Sequence, residues 1–363
     1  MKPHSKAHHA VHKRMTLPWL IVLCLLTITG AIFQQDIRKI IQPAPKSAGI
    51  SIASGGILQS FFTTYDPWFQ NYWKQKTGQT VTIAHTYEAT GDLMRSTISH
   101  EIKPDILLLS NPYEVDNVAA STHIVDEDWR SKFPHMSSPF SSSVVFVVRK
   151  GNPKHIVDWS DLTKPNISLL FSNPKICGGG RWVYTALVDV AKRSKNGNIT
   201  GAHSYLADVF NNVPILYANQ GDAQYAFVEQ GKGDVLITYE IVAMTTRMKN
   251  PTTVDVVIPP QSVEIEFPAA IAQTYTSARG TTDVSTAYVA HLYDPAIQQL
   301  LANNNLRAHT PGIKKQTAAP LPPVLLDKRE AAFSTKLEER SHLENAGFFD
   351  SLYTHGFAEE FTL

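Results

Sequence analysis

Apolar residues recur along this chain in two rhythms, and their alternation predicts the architecture. Short unbroken apolar runs stand at 106–109, 144–148 and 169–171, and a further strand is expected over 235–239. Runs of that length suit strands buried on both faces of a parallel sheet, where neither side requires polar residues. Between them, apolar positions three and four apart mark helices. Trp68, Phe69, Tyr72 and Trp73 follow Asp66-Pro67 at such spacing, and that pair reads as an N-cap with proline at the first helical position. All four rings are expected to pack inward. Further helices are expected after Thr90-Gly91, through Leu93, Met94 and Ile98; over 181–192, through Trp182, Ala186, Leu187 and Val190; and over 222–230, stopped by Gly231. The run 254–258, closed by Pro259-Pro260, reads as an edge. Strands and helices in this order specify a doubly wound α/β fold. No period of roughly 20 to 50 residues indicates a repeat protein.

The ends of the chain break the rhythm. Lys2, Lys6, Lys13 and Arg14 precede an apolar stretch over 17–33, with the small residues Thr29-Gly30-Ala31 near its end. That stretch is shorter than the roughly 20 residues of a comfortable membrane span. Residues 1–34 are therefore expected to be a signal peptide, with a retained N-terminal membrane anchor as the alternative. Residues 35–56, with Pro43, Pro45 and Ser54-Gly55-Gly56, read as a linker. Residues 57–142 plus 262–309 are expected to form one lobe and 143–261 a second. From 310 to 363, Pro320, Pro322 and Pro323 precede a charged stretch expected to be helical over 328–346, in a C-terminal strap across the lobes.

Composition narrows what such a fold can bind. At 363 residues the chain is long enough for two cores, and its 43% hydrophobic and 18% charged residues are ordinary for a globular protein with a leader. A formal net charge of +1 excludes broad electrostatic attraction to nucleic acid or acidic membranes, so an anion would have to be met locally. Two cysteines, Cys24 and Cys177, make no disulfide framework, and Leu23 stands where a lipoprotein signal has a small residue.

Three loops offer such a local meeting point: Glu88-Ala89-Thr90-Gly91, Ile176-Cys177-Gly178-Gly179-Gly180 and Asn219-Gln220-Gly221. Each places small residues between a strand and a helix start, where free backbone N–H groups and the positive helix end favour an anion. In open α/β sheets, ligands gather outside the carboxyl ends of the strands. Cysteine ahead of glycines at a helix start is also the setting of reactive thiolates. A phosphatase-type loop would need arginine at position 183, which is Val, and a sulfur-transferase loop a base at position 182, which is Trp. His85, His100, His135 and His155 show no paired ligand spacing, and Cys177 has no cysteine partner, so no metal site is expected.

Longer segments now carry a resemblance. Tyr65-Asp66-Pro67, Val148-Arg149-Lys150-Gly151-Asn152-Pro153-Lys154 with Asp158-Trp159, Asn173-Pro174-Lys175, Gly178-Gly179 with Arg181-Trp182, Phe227-Val228-Glu229, and Gly233-Asp234-Val235-Leu236-Ile237 resemble segments of periplasmic sulfate-binding proteins in the same order. The likeness covers roughly 57–350. It implies a two-lobed periplasmic-binding-protein fold (type II), with the ligand in the inter-lobe cleft. It also implies a monomeric, non-enzymatic, cofactor-free protein of the periplasm that hands its anion to the permease and ATPase subunits of an ABC transporter. Carried across by position, Thr90 stands at an amide that binds the anion, Cys177 at a serine hydroxyl, Gly178 and Gly179 at two glycine amides, and Gln220 at a further amide. Tyr239 replaces a tryptophan whose ring N–H donates, and Asp66 matches an aspartate that caps its helix and shapes the pocket. Gly221 replaces an arginine, and Asp92 adds a negative charge near a helix start. The resemblance implies sulfate; alternatives are thiosulfate, molybdate or phosphate as ligand, or a membrane-tethered anion sensor subunit.

Overall fold

The computed structural model describes residues 47–194, 199–313 and 325–327. The expected leader over 1–34, the linker residues 35–46 and the charged helix over 328–346 lie outside the described residues.

Two sheets organise the chain. The first has the order β10-β3-β1-β2, with β1 (Ser47–Gly55), β2 (Thr80–Glu88), β3 (Ile106–Leu108) and β10 (Ala269–Ile271). β1 pairs parallel with both β2 and β3, and β10 closes the edge antiparallel to β3. The second sheet centres on β4 (Phe140–Arg149), β5 (Leu169–Ser172), β6 (Leu216–Tyr217) and β7 (Val235–Tyr239), where β5 pairs parallel with β6 and β7. The long β4 runs antiparallel to β7, to β8 (Val254–Val257), to β9 (Gln261–Glu266) and to β11 (Arg307–Ala308). β12 (Leu325–Asp327) adds parallel to β9. Both sheets thus repeat one plan, a first strand flanked by the second and third, with an antiparallel strand beside the third.

The helices are α1 (Gln59–Thr77), α2 (Thr90–Ile98) and α3 (Pro112–Thr122) around the first sheet, and α4 (Gly178–Ser194), α5 (Ile199–Asn211), α6 (Gln220–Val228) and α7 (Glu240–Lys249) around the second. The chain then continues through α8 (Gln273–Arg279), α9 (Thr282–His291) and α10 (Pro295–Asn303). None of the described helices is long and apolar enough to cross a membrane.

Burial on both faces explains the unbroken apolar runs. Along β4, Val144, Phe146 and Val148 join one core cluster while Val145 and Val147 join another. Along β3, Ile106 and Leu108 face one cluster while Leu107 packs into a second. Such strands have no solvated side to record in sequence.

Three expectations are corrected, for the linker, the start of the first helix and Trp68. The linker read over 35–56 includes β1, which is one of the two inner strands of the first sheet. Its residues are small and hydroxylated, but Ile50, Ile52, Ala53 and Ser54 are buried, because helices cover both faces and leave little depth there. The helix expected to start at Asp66-Pro67 begins instead at Gln59, with Pro67 inside it. An interior proline costs about 3 kcal/mol. The stripe Phe61, Phe62, Tyr65, Phe69 and Trp73 is buried through that proline, and each such side chain contributes roughly 1.5–3 kcal/mol on burial, so packing wins. Trp68, expected inside, is 50% exposed, because it lies off this stripe. The lobe boundary expected at 142/143 falls within β4, and that at 261/262 falls at the start of β9. Ser141–Ser143 pair there with Glu264–Glu266, so the two segments that pass between the sheets are hydrogen-bonded to each other.

Candidate functional site

Six strand-to-helix junctions among the described residues converge on one cavity of about 410 Å³. The repeated sheet plan causes this: β1, β2 and β3 in one sheet and β5, β6 and β7 in the other all release the chain at their carboxyl ends. Gly55 and Gly56 arrive after β1, Ala89 and Thr90 after β2, and Ser110 after β3. From the opposite side come Cys177 and Gly179 after β5, Gln220 and Gly221 after β6, and Tyr239 at the end of β7. Each helix start leaves its first N–H groups without intrahelical partners. Among the described residues, the lining contains no lysine, arginine or histidine, and Glu88 is its only charged residue.

Five of the seven sequence-derived candidates line this cavity together: Thr90, Cys177, Gly179, Gln220 and Tyr239. Gly178 lies just behind it as a close-approach position. A Cβ there would meet Ser110 Oγ at 2.3 Å, Thr90 Oγ1 at 2.6 Å and Glu114 Oε1 at 2.8 Å, all from the opposite sheet's helices and loops. Asp66 is elsewhere, and its expected role as helix cap and pocket-shaping residue is corrected. It sits in the middle of α1, where Oδ1 accepts from the Tyr288 hydroxyl at 2.6 Å and Oδ2 lies 2.7 Å from His85 Nε2. The junction that the Tyr65-Asp66-Pro67 likeness assigned to Asp66 is occupied by Gly55-Gly56-Ile57-Leu58, which does line the cavity.

The two walls differ in how their polar atoms are used. On the first-sheet side, Thr90 Oγ1 donates to Glu114 Oε1 at 2.9 Å and lies 2.8 Å from Ser110 Oγ. The Thr90 hydroxyl is thus occupied, leaving its backbone N–H for a ligand. On the second-sheet side, Gln220 Oε1 accepts from Thr238 at 3.0 Å, while Gln220 Nε2 is buried without a partner. The Tyr239 hydroxyl is buried beside Ser110 without a hydrogen bond of good geometry, and burial pushes its pKa well up. It is therefore a neutral O–H donor. Cys177 is buried and makes no disulfide.

Behind the cavity, polar ties join the sheets. The Trp182 indole N–H donates to the Ser110 carbonyl. The Arg181 guanidinium lies 3.6 Å from the Glu114 carboxylate, 5.1 Å over the Tyr113 ring, and donates to the carbonyls of Pro174 and Lys175. Glu114 has no exposed surface, and burial pushes its pKa up to about 7 despite Arg181 and the Thr90 hydrogen bond. Sequence reasoning missed Glu114 and Ser110. In Asn111-Pro112-Tyr113-Glu114 the acid reads as an ordinary first-turn residue favoured by the helix dipole, and only the topology brings it against Arg181.

Chemically, this arrangement supplies neutral donors around a space free of fixed cations. Among the described residues, no group of three or more His, Cys, Asp or Glu could hold a metal ion.

Comparison with known proteins follows the same line. The profile of the family described as bacterial extracellular solute-binding protein matches residues 57–305. The sulfate-binding protein of Escherichia coli is 32% identical over 297 residues, covering 81% of this chain and 89% of its own. A thiosulfate-binding protein of Pseudomonas aeruginosa is 31% identical over 300 residues, covering 82% and 90%. Among solved structures, the sulfate-binding protein SubI from Mycobacterium tuberculosis superposes with a TM-score of 0.65 at 29% identity, covering 73% of this chain and 88% of that one.

Proposed function

The chain belongs to the bacterial extracellular solute-binding protein family, and from that premise we propose that it captures inorganic sulfate outside the cytoplasm and delivers it to an ABC transporter. The observation that carries this reading is the convergence of six helix starts on a cation-free cavity holding two buried, unpartnered donors, Gln220 Nε2 and the Tyr239 hydroxyl. A buried dianion is costly unless its oxygens receive hydrogen bonds. Helix-start amides, an amide side chain, a phenol and a thiol meet that need without an ion pair. The similarity to proteins named for sulfate and thiosulfate supports the same choice of ligand class.

Capture proceeds by closure. The sheets part at β4 and β9, the anion docks on one wall, and the other wall closes behind it. Gly178 then reaches Ser110, Thr90 and Glu114, and Trp182 reaches the Ser110 carbonyl. The closed, monomeric protein presents its anion to the permease subunits and turns nothing over. The leader over 1–34 carries the chain to the periplasm; the mass of the exported protein tells a cut leader from a retained anchor.

Sulfate needs only donors, whereas monohydrogen phosphate carries a proton that needs an acceptor. The buried side chains of the cavity offer donors, and the one carboxylate of its described lining, Glu88, is exposed, so sulfate should bind well ahead of phosphate at pH 8. Titration calorimetry against sulfate, thiosulfate, molybdate and phosphate tests the reading. Dissociation constants weaker than about 1 mM, roughly −4 kcal/mol, for every anion would overturn it, and phosphate binding as tightly as sulfate at both pH 5 and pH 8 would overturn the assignment to sulfate.

A further inference from the structure

We infer that the cleft also admits monoanionic sulfo groups bearing a short apolar substituent, R–SO₃⁻, with the substituent lying against Leu58, Val242, Phe267 and the ring of Tyr239. The inference rests on the reading of the cleft as a sulfate site and widens its ligand class.

Size is the first observation. A sulfate ion fills on the order of 60–90 Å³, two to three times water's share of about 30 Å³. The cavity of about 410 Å³ is several times larger, and sits within the range of roughly 300–1,000 Å³ typical of sites for organic ligands. The surplus space has an apolar boundary. Tyr239 meets Phe267 edge-on with ring centroids 5.9 Å apart. Val242 follows in the first turn of α7, and Leu58 arrives from the junction after β1. In the closed form Phe267, Leu58 and Tyr239 are each 1% exposed and Val242 6%, so the arm reaches this boundary by holding the sheets slightly apart. A tetrahedral ion with four equivalent oxygens makes no use of such a boundary, whereas a hydrocarbon arm gains by leaving water.

Charge is the second, independent observation. Among the described residues no cation lines the cavity, and the one charged lining residue is the acid Glu88. Arg181, behind the cavity, faces Glu114 and donates to two carbonyls. A buried charge without a counter-ion depends on donors alone, and a sulfonate or sulfate monoester brings one charge where sulfate brings two. Three sulfo oxygens and one charge suit the unpartnered Gln220 and Tyr239 donors together with the helix-start amides.

The full-length chain is titrated calorimetrically with sulfate, methanesulfonate, 1-propanesulfonate, and the near-isosteric pair ethanesulfonate and methyl sulfate. The expected result is that 1-propanesulfonate displaces sulfate, binds within about tenfold of it, and gains about three- to fourfold per methylene over methanesulfonate. Equal binding of ethanesulfonate and methyl sulfate identifies the shared sulfo group as the ligand; a preference above tenfold assigns the natural class to the carbon-linked or the ester-linked kind. Val242→Trp should lower the ratio of 1-propanesulfonate to sulfate affinity about tenfold, and an unchanged ratio overturns the placement of the arm. Sulfate binding that alkyl sulfonates do not disturb at hundredfold excess overturns the inference and leaves the proposed function standing. No binding of any of these anions, sulfate included, overturns the proposed function and the inference together.

Discussion

The two walls of the cleft are built on one topology and differ in the polar side chains that line the cavity. On the first-sheet wall, the Thr90 hydroxyl is hydrogen-bonded to both Ser110 and Glu114, and the unpartnered Glu114 Oε2 belongs to a residue behind the lining. On the second-sheet wall, the Gln220 amide nitrogen and the Tyr239 hydroxyl are buried and unpartnered. An unsatisfied buried polar atom costs roughly 1–3 kcal/mol, and a fold keeps two of them in one cavity only where something else repays that cost. The comparison assigns ligand recognition by side chains to the second-sheet wall, and makes the first-sheet wall a rigid backbone surface that closes upon it. It can be broken at either wall.

The largest effect is expected from Gly178→Ala. Its Cβ would enter the Thr90–Ser110–Glu114 cluster at contacts under 3 Å, and those short, mutually bonded side chains cannot swing clear. Closure should be held open, weakening sulfate binding at least a hundredfold, about 3 kcal/mol and the top of the range for overpacking. Gly179→Ala, whose Cβ has its three nearest contacts in the flexible Gln220 side chain, should cost less. Calorimetry of the two variants side by side checks the order, and the reverse order would break the assignment of walls.

The next effect concerns Glu114 and is read as stability. Burial raises its folded pKa from 4.5 to about 7. Between those values the folded state binds more protons than the unfolded state, so stability falls as pH rises through that window. The stabilisation of the protonated form is fully present near pH 4.5 and lost above about pH 7, a change of up to about 3 kcal/mol. Melting temperature at pH 5.5 minus that at pH 8 should therefore shrink in Glu114→Gln, since the amide does not titrate. An unchanged difference would mean that Arg181 holds Glu114 ionised throughout.

Much of this was legible in the residues, and the failures have physical causes. The apolar runs marked β3, β4 and β5, because strands buried on both faces leave little polar interruption. The three glycine-bearing loops led to Thr90, Cys177, Gly179 and Gln220 in one cavity. β1 escaped because Ser47–Gly55 is built of small residues that resemble a tether, although a strand packed closely on both sides requires small residues. With β1 hidden, the junction after it was hidden too, and Tyr65-Asp66-Pro67 was taken in its place. Local capping signals at Asp66 were outweighed by an aromatic stripe that runs through Pro67. Glu114 was invisible for a different reason: its partners Thr90 and Arg181 are remote in sequence, and their meeting is a property of the closed pair of sheets.

Tyr239→Phe sharpens the comparison on the second wall. Removing a buried, unpartnered hydroxyl should leave the melting temperature unchanged or raise it, because no internal hydrogen bond of good geometry is lost. Binding should weaken by about 1.5–3 kcal/mol, the range for a hydrogen bond to a charged group. A loss of stability with binding intact would place the hydroxyl in the framework with Ser110 and remove it from the site.

The smallest effect is expected at Cys177, and it separates a wall residue that touches the anion from one that merely lines the space. Its thiol is buried just before the start of α4, and its backbone N–H donates to the Asn173 carbonyl at 3.0 Å. A thiol is a weak donor, weaker than the serine hydroxyl that the sulfate-binding resemblance places here. Cys177→Ser should therefore keep or strengthen sulfate binding, while Cys177→Ala should weaken it by about 0.5–1.5 kcal/mol, the range for one modest hydrogen bond. Alkylation gives the matching chemical readout. Iodoacetamide reaches Cys177 only when the sheets part, and a bound anion both holds them closed and covers the sulfur. Saturating sulfate should slow alkylation markedly, and chloride at equal ionic strength should not. If alkylation ignores sulfate and both substitutions leave binding unchanged, Cys177 lines the cavity without touching the anion, and the donors of the second wall reduce to Gln220, Tyr239 and the glycine amides.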